Sequence, residues 1–534
     1  MPRAKLINLL DLDKAFKRVI REERKGRKLI PDALCFCDCQ AMQNDIVSDI
    51  KRLLDSRSYR NQPLLTMDVP RDNFCIRPAA VPKLEDWVIY DAFANYIGRQ
   101  SDVKLAPTVF SYRFDKNGEL LPGVGQWKKF ENSFSNLLAQ SKPDSYVVIT
   151  DIASYFTNIN LKVLRNHLLT IIGGSPTNAN VIDNLFNALL IPWATGPLNK
   201  DLGIPQGVDA SSIIGNLLLH HIDAEIGRIR DVKYFRYMDD IRIITKNNVT
   251  AKKMLRGLIK SLGQIGLNVN TQKTKILSKS EVRALEDPRS EDMTLIDRAT
   301  KSRRRSEINL VMPILQRVFD RAFDKNNSLY QRHLSFAINR FILLRNELKR
   351  NRGFMKKVPL NLISNLEKLP GCTEDFSRFF KYFPSSSYKQ YLVNFLKSQE
   401  NIYEWQEMWI LDGLLRFQRI TQDDVRVFEE IAKDRRKHEL CRAKAILLIG
   451  KFGDAHTRHD LTTLYSPETE EVIRRAIVFA CQELTQAERN TFYDMVKADD
   501  RMKHAISYIK QLRKPKYYED EEWTPIDIPD WGTY

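Results

Sequence analysis

The chain has no long uninterrupted apolar segment and few cysteines. No apolar run approaches the roughly 18 residues that a membrane-spanning helix needs, and Asp11 and Asp13 fall where a secretory signal would require an apolar core. The seven cysteines among 534 residues are an odd number, and nothing indicates export to an oxidising compartment. We therefore expect a soluble, cytoplasmic protein without a membrane partner.

Three of the cysteines alternate in the segment CFCDC. Cys35, Cys37 and Cys39 stand at strand spacing, which predicts a buried strand. The spacing is not the two-residue knuckle of common zinc sites, and no paired His or Cys cluster follows nearby. Metal binding is therefore the less favoured alternative.

Acidic residues are too few to balance the basic ones. The 84 Lys and Arg residues exceed the 67 Asp and Glu residues, which gives a formal net charge of +17. Such a charge favours a polyanionic partner through contacts with phosphate groups, and nucleic acid is the leading candidate. The length suggests about two to four structural units.

The sequence pattern divides the chain into four regions. Near-helical spacing of apolar residues predicts an N-terminal helical extension over 1–60, and short β-rich runs between helices predict an α+β core over 61–285. Gly and Pro then become scarce, which predicts an all-α region over 290–514, followed by an acidic, aromatic tail over 515–534. That tail either docks on the protein or is disordered.

Two segments of the C-terminal half share a framework of Arg, Ala and Ile. They are CRAKAILLIGKFGD at 441–454 and VIRRAIVFACQEL at 472–484. Their separation of about one helix pair predicts stacked helical-hairpin, HEAT-like repeats. Ordinary amphipathic helices with an Ala-rich contact face are an equally supported alternative.

Two apolar strands are predicted to deliver aspartates to one place. A β-branched run over 146–150 ends in Asp151, where a buried strand meets solvent. A second strand over 233–237 runs into Asp239 and Asp240, and another apolar run follows at once. This pattern predicts a β-hairpin with two carboxylates at its turn.

Adjacent carboxylates in a tight turn repel each other unless a cation offsets their charge. If Asp151 lies beside the hairpin, the three carboxylates can hold two Mg²⁺ ions about 3.5–4 Å apart, with Mn²⁺ as an alternative ion. Such a pair supports in-line phosphoryl transfer, because one ion activates an attacking hydroxyl and the other stabilises the pyrophosphate that leaves. An isolated Asp-Asp pair more often forms a turn or a helix cap, but the flanking strands favour catalysis here.

The chain resembles the reverse transcriptases in four motifs, which occur in the order and spacing of that family. The YxDD box of the family is matched by Tyr237-Met238-Asp239-Asp240. DIASYF at 151–156 resembles motif A, GIPQGVDASSIIGN at 203–216 resembles motif B, and GLNVNTQKTK at 266–275 resembles motif D. The resemblance implies that the α+β core is the fingers and palm of a DNA polymerase that binds dNTPs.

The resemblance also implies roles for residues in motifs A and B. Phe156 would be the steric gate that excludes a ribose 2′-hydroxyl, although a core aromatic is its plain alternative. Gly203 and Gly207 would let the backbone turn close to the substrate, and Gln206 would lie beside the nascent base pair. Ile152 is assigned to the metal and nucleotide sites.

Three further residues complete the implied site. Lys273 of motif D would lie near the triphosphate and protonate the leaving pyrophosphate, unless it is simply a solvated lysine. Arg77, at the start of RPAAVPKLEDW, would lie over the nucleotide phosphates. Tyr237 of the YxDD box is assigned to the nucleotide site.

Within the family, the abortive-infection reverse transcriptases of bacterial phage defence are the most similar subgroup. The likeness rests on DIASYF, on PQG followed by Asp-Ala-Ser, and on SYRF at 111–114. It implies a helical domain in place of the thumb, untemplated synthesis of single-stranded DNA, priming from the protein itself, and homo-oligomers.

The core motifs leave other readings open. A retron or group II intron-like reverse transcriptase would copy an RNA template, but 290–534 show no Cys/His nuclease cluster or HNH-like pattern. An RNA-dependent RNA polymerase would more often carry Gly before the paired aspartates and a small gate, so Met238 and Phe156 argue against it. A non-catalytic binding protein would not need all three carboxylates.

Two basic runs follow the core and are predicted to track a phosphate backbone, with a solvated helix face as the alternative for either run. The first run contains Lys301, Arg303, Arg304 and Arg305, and the second contains Lys349, Arg350, Arg352, Lys356 and Lys357.

Overall fold

The computed structural model describes residues 8–24, 29–56, 58–194, 201–284, 290–324, 330–349 and 351–518. The chain forms two compact units. The first comprises Met1–Glu22, Val47–Leu65 and Ala80–Pro288, and the second comprises Glu23–Ile46, Thr66–Ala79 and Arg289–Tyr534. The N-terminal 60 residues are thus shared between the units, and the four regions proposed from the sequence stay a prediction about domains.

A four-stranded antiparallel sheet lies at the centre of the first unit. Its strands are β3 (Tyr146–Thr150), β4 (Lys233–Tyr237), β5 (Asp240–Thr245) and β6 (Lys275–Ser278), in the order β4-β5-β3-β6. Both apolar strands and the hairpin predicted from the sequence are confirmed. Strand β3 lies between β5 and β6, and its apolar residue Val147 is buried by a helix that packs on the face of the sheet.

Helices surround this sheet and make up most of the first unit. They are α1 (Leu12–Arg24) and α3 (Gln43–Asp55), which both extend into the second unit, and α4 (Leu84–Ser101), α5 (Gly123–Gln140), α6 (Tyr155–Asn158), α7 (Leu161–Ile172), α8 (Pro176–Leu185), α9 (Ile191–Trp193), α10 (Asp209–Leu218), α11 (His220–Gly227), α12 (Asn248–Gln264) and α13 (Lys279–Ala284). A π-helical turn, Phe186–Leu190, joins α8 to α9, and a 3-10 turn, Asp102–Lys104, follows α4.

Helix α5 supplies an aromatic face that packs on the sheet. Phe130, Phe134 and Leu138 recur at intervals of four residues, so they lie on one side of the helix. They form a buried cluster with Val147 of β3 and Phe235 of β4, among others. This packing fixes the strands that lead into the predicted catalytic turn.

The second unit contains many helices and most of a two-stranded sheet formed by β1 (Leu65–Pro70) and β2 (Ile76–Val81). The helices are α2 (Cys37–Ala41), α14 (Ser290–Ser302), α15 (Arg305–Arg321), α16 (Tyr330–Leu343), α17 (Arg345–Leu348), α18 (Arg352–Ile363), α19 (Thr373–Tyr382), α20 (Ser386–Lys397), α21 (Glu404–Leu414), α22 (Gln422–Lys433), α23 (Glu439–Phe452), α24 (Ala455–Tyr465), α25 (Glu471–Ala480), α26 (Gln486–Val496) and α27 (Lys503–Gln511). Short 3-10 turns are Asp72–Phe74, Pro370–Cys372, Cys481–Glu483 and Asp500–Met502.

The helical character predicted for the C-terminal half is confirmed, since the regular elements described between 290 and 518 are all helices. The two segments with the shared framework form α23 and α25, which cross closely. A Cβ on Gly450 would lie 2.5 Å from the Cα of Ala480, so only glycine fits there. Whether these helices are true repeats stays a hypothesis. Of the predicted tail, residues 519–534 lie outside the described residues.

The predicted strand at CFCDC is wrong. Cys35 and Phe36 have φ angles of 50° and 49°, and the short helix α2 begins at Cys37. The left-handed pair reverses the chain, which alternation in the sequence cannot reveal. No described helix is both long and apolar enough to cross a bilayer.

Candidate active site

The YxDD box forms the tight turn between β4 and β5. Tyr237 pairs with Asp240, so Met238 and Asp239 are the two residues of the turn. On the other side of β5, Thr150 pairs with Ile241. Continuing that antiparallel register by one residue places Asp151 opposite Asp240. The sheet therefore brings Asp151 to the end that carries both turn aspartates, as the sequence predicts.

Asp151 has one carboxylate oxygen engaged and one unsatisfied. Lys273 donates a hydrogen bond to its Oδ2 at 2.7 Å, whereas its Oδ1 is buried and has no hydrogen-bond partner among the described atoms. Buried carboxylate oxygens are seldom left in this state, because the desolvation cost is not recovered. This oxygen is a natural ligand for a cation.

The motif D loop is bound to the end of β3 by several hydrogen bonds. The Asn270 N–H donates to the main-chain oxygen of Asp151 at 2.8 Å, and the Ala153 N–H donates to Asn268 O at 2.8 Å. The hydroxyls of Thr150 and Thr274 lie 2.7 Å apart. These contacts hold Lys273 next to Asp151, the first of the three predicted catalytic aspartates.

Motifs A and B meet next to the predicted steric gate. The Ile204 N–H donates to Phe156 O at 3.1 Å, and the Tyr155 hydroxyl donates to Gly215 O at 2.6 Å. A Cβ on Gly215 would lie 3.5 Å from the Phe156 ring. Helix α10 therefore approaches the Phe156 ring closely at Gly215, and residues of both motifs lie around that ring.

The loop before α10 has the backbone that its glycines predict. Gly203 and Gly207 have φ angles of 86° and 120°, which residues with a side chain rarely adopt. The main-chain oxygen of Gln206 accepts a hydrogen bond of 3.3 Å from the Ala80 N–H. The turn is confirmed, and the contacts of Gln206 and Gly207 with a substrate stay predictions.

Arg242 lies beside Asp240, and contacts with helix α5 hold Arg242 in place. Arg242 makes a two-fold hydrogen bond with Glu131 of α5, at 2.8 Å for each oxygen, and its Nε lies 3.8 Å from Asp240 Oδ1. Its guanidinium also lies over the Phe130 and Phe134 rings. Burial raises the pKa of Asp240 to about 6, and Arg242 opposes that rise.

Hydrogen bonds from buried side chains hold the backbone of the turn at Met238. Met238 has a φ of 53°, in the left-handed region that costs a non-glycine residue free energy. Its N–H donates to Ser111 Oγ at 2.9 Å, and its carbonyl accepts from Arg236 Nη1 at 3.0 Å. Arg236 is fully buried and forms an ion pair of 2.6 Å with the equally buried Asp223 of α11.

Three predicted nucleotide residues have contacts that limit their roles. Ile152 is 2% exposed, so its side chain is not available to a ligand, and its roles in the metal and nucleotide sites stay predictions. The half-buried Tyr237 packs edge-on against Trp127 at 5.0 Å, and its hydroxyl donates to Gly123 O at 3.2 Å. Arg77 lies on β2 within the second unit, where its role over the phosphates stays a prediction.

The donor set fits Mg²⁺, which prefers carboxylate oxygens. In the part of the chain that the structure describes, however, no three His, Cys, Asp or Glu side chains are gathered closely enough to hold a metal ion as they stand. Lys273 occupies Oδ2 of Asp151 in this arrangement. Joint metal binding by the three aspartates therefore requires their carboxylates to come closer together, and Oδ1 of Asp151 is an oxygen that no hydrogen bond occupies.

Sequence reasoning missed the charged residues that support the site. They are Glu131, Asp223, Arg236 and Arg242, and the uncharged Ser111 was missed as well. The available signal was an Arg in the apolar strand β4 and another in β5, since a charge in a buried strand needs a partner. The partners could not have been named, because they lie 13 to 111 positions away in the chain.

Residues 77–287 match the family described as "Reverse transcriptase (RNA-dependent DNA polymerase)". The matched range contains all three aspartates, Lys273 and the hairpin turn. The chain thus carries a reverse-transcriptase domain, with the palm and fingers type of fold that this implies. The matched domain is that of a nucleotidyltransferase of the reverse-transcriptase type.

Solved telomerase structures show a weak likeness to the chain. Apo telomerase from Candida tropicalis, truncated from its C-terminal domain, is 16% identical, with a TM-score of 0.29 over 44% of this chain and 55% of its own. Telomerase from Candida albicans, in complex with a fragment of telomeric RNA, is 11% identical, with a TM-score of 0.32 over 69% of this chain and 70% of its own. Such low scores support no conclusion about this protein. No curated protein matches the chain.

Proposed function

We propose that the protein is a DNA polymerase that adds deoxynucleotides at the carboxylates of the YxDD turn and motif A. The sheet register that sets Asp151 opposite Asp240 is the observation that carries this function. Two bound Mg²⁺ ions would activate the attacking hydroxyl and stabilise the charge that develops on pyrophosphate. Asp151, Asp239 and Asp240 would hold them, and Lys273 is placed to give a proton to the leaving group.

Phe156→Ala is expected to admit ribonucleotides. If the Phe156 ring meets the ribose 2′ position, its removal should raise the ratio of NTP to dNTP incorporation by about tenfold or more. Single-nucleotide incorporation with matched dNTP and NTP pairs measures this ratio. Phe114→Ala removes a partly buried ring elsewhere in the same unit and should leave the ratio unchanged. A ratio that is equal in both variants would show that Phe156 is only a packing residue.

The finer proposal is untemplated, protein-primed synthesis of single-stranded DNA in bacterial antiphage defence. Its support is the likeness of DIASYF, of the PQG and Asp-Ala-Ser sequence and of SYRF to the abortive-infection enzymes. The helices that follow the sheet domain agree with a helical region in place of a thumb. A homo-oligomer and a cytoplasmic location belong to the same proposal.

Purified protein incubated with Mg²⁺ and labelled dNTPs, without template or primer, tests this finer proposal. The expected product is labelled DNA whose electrophoretic mobility changes after protease treatment, because the chain itself supplies the first hydroxyl. EDTA should abolish incorporation, since the carboxylates need a cation. Product that is unaffected by protease would contradict protein priming.

The second candidate is a template-dependent reverse transcriptase of a retron or group II intron-like element. The match to a family described as an RNA-dependent DNA polymerase favours it. Synthesis that begins only after an RNA template and primer are added would establish this candidate and exclude the defence reading. Both candidates use the same carboxylates.

The two basic runs that follow the core in the sequence are candidate contacts for nucleic acid. Lys301 lies near the end of α14, Arg305 begins α15, and the side chains of the whole first run are exposed. In the second run, Lys349, Lys356 and Lys357 are exposed, and Lys357 pairs with Asp320 at 2.9 Å. Arg350 and the side chain of Arg352 lie outside the described residues.

Reversal of two charges in the first run is expected to weaken binding of single-stranded DNA. The double variant Lys301→Glu and Arg305→Glu should lower affinity about tenfold or more at low salt and flatten the dependence of affinity on salt, because fewer counterions are released. Fluorescence anisotropy over a salt series measures both. Arg426→Glu with Lys433→Glu, on the exposed side of α22, makes the same change in charge and should have little effect. If both double variants lost the same affinity for single-stranded DNA, the loss would result from the change in net charge, and the first run would not be a specific binding surface.

A further inference from the structure

We propose that Ser111 is a positioning residue for nucleotide addition, which acts by holding the YxDD turn in its left-handed conformation and joining it to motif B. This inference rests on the proposed polymerase function. Ser111 is 0% exposed and lies outside motifs A, B and D. It touches the turn and the motif B helix α10 at once.

The direction of each hydrogen bond at Ser111 is fixed by its partners. The hydroxyl accepts from the Met238 N–H at 2.9 Å, so its own proton is available to Asn216 Oδ1, also at 2.9 Å. Asn216 Nδ2 donates in return to the main-chain oxygen of Ser111 at 2.8 Å. A hydroxyl is the group that both accepts and donates in so small a space.

Arg236 completes the hydrogen-bond network around the YxDD turn. Its guanidinium donates to Asn216 Oδ1 at 2.7 Å, to the main-chain oxygen of Asn216 at 3.1 Å and to Met238 O at 3.0 Å. Both main-chain polar groups of Met238 are therefore satisfied by this network. A residue with a φ of 53° that is held at both its N–H and its carbonyl cannot relax without breaking a buried hydrogen bond.

A short segment carries Ser111 to the turn. The Arg236 N–H donates to Thr108 O and the Phe110 N–H donates to Arg236 O, each at 3.0 Å, so the segment runs along the outer edge of β4. Ser111 is the next residue after this pairing. The segment thus anchors the hydroxyl to the same strand that leads into Asp239.

This hydrogen-bond network links the YxDD turn to helix α10, and catalysis requires these two parts of the proposed site to keep a fixed relative position. Asp239 and Asp240 follow Met238 directly, whereas α10 carries Gly215 against the gate ring. A displacement of about 1 Å between metal ligands and substrate is enough to lower catalysis strongly. Loss of the Ser111 hydroxyl should therefore affect the chemical step more than substrate affinity.

Ser111→Ala tests the proposal. We expect kcat for dNTP incorporation to fall roughly ten- to a hundredfold, with less than about threefold change in KM, because a buried N–H and Asn216 Oδ1 each lose a partner. Binding of Mn²⁺ without nucleotide, followed by electron paramagnetic resonance, should also weaken. Ser111→Cys keeps a weak donor and acceptor in place, so its kcat should lie between Ser111→Ala and wild type.

Ser101→Ala is the matched control. Ser101 is also 0% exposed in the same unit, and its hydroxyl donates to Ile97 O at 2.8 Å within α4. It should lose a similar amount of thermal stability while keeping wild-type kcat and Mn²⁺ affinity. If either quantity in Ser111→Ala matches that of Ser101→Ala, the proposal is wrong.

Failure of the underlying function would be seen separately. A wild-type protein that incorporates no nucleotide, with or without template, would refute the proposed polymerase activity. The comparison of Mn²⁺ binding between Ser111→Ala and Ser101→Ala would still decide whether Ser111 positions the turn.

Discussion

Asp151→Asn is expected to lower deoxynucleotide incorporation by about a thousandfold or more, because a metal site that loses one carboxylate charge loses several kcal/mol of transition-state stabilisation. The substitution keeps the size of the side chain and removes only its charge. It also leaves the Lys273 ammonium beside a neutral amide instead of a carboxylate. Incorporation of a labelled dNTP in saturating Mg²⁺, followed in a single turnover, measures the effect.

An aspartate just before β3 provides a control for this result. Asp144 is exposed and lies two residues before β3, at the end opposite Asp151. Asp144→Asn makes the same chemical change and should keep activity within about twofold of wild type, because surface substitutions away from a site have small effects. Near-normal incorporation by Asp151→Asn would mean that the motif A aspartate is not a metal ligand.

Asp223→Ala is expected to lower the free energy of unfolding by about 3–5 kcal/mol, the cost of removing one partner of a buried ion pair. Asp223 and Arg236 are both 0% exposed, and the guanidinium also holds the turn. Burial alone would lower the pKa of Arg236, but Asp223 outweighs that effect and raises it. Without Asp223, a charged guanidinium would be left in the core unneutralised.

Asp183→Ala is the comparison for this loss of stability. Asp183 pairs with Arg165 in the same unit, but their side chains are 42% and 40% exposed. An exposed pair contributes about 0–1 kcal/mol, so the variant should unfold almost as wild type does. Urea unfolding of both full-length variants, followed by far-UV circular dichroism, measures the difference. Similar losses in the two variants would show that burial of the Asp223 pair has no special cost.

The strands of the site could be predicted because their signal is local. β-branched residues over 146–150 and an apolar run after Asp240 are enough to indicate strands, and the aspartates at their ends indicate where the chain emerges. The order of the motifs then allowed the strands to be placed side by side. The register in which Asp151 lies opposite Asp240 needed the structure.

The support of the site could not be predicted, because it depends on contacts between distant residues. Ser111 meets Met238 over 127 positions, and Glu131 meets Arg242 over 111. Nothing in the segment of any of these residues indicates which distant residue it contacts. The prediction at CFCDC failed because it relied on a local pattern alone. The alternating cysteines indicated a strand, whereas two residues in the left-handed conformation precede a short helix there.

The short segment beside β4 also bears on how copies of the protein can associate. An open strand edge is a template for pairing with another chain, and it promotes aggregation. Here the outer edge of β4 is already hydrogen-bonded to Thr108 and Phe110, and the other outer strand, β6, is only four residues long. Intermolecular strand addition is therefore disfavoured at this sheet. The homo-oligomer that we propose is expected to assemble through other surfaces, and it would leave the strands that carry Asp151, Asp239 and Asp240 unchanged.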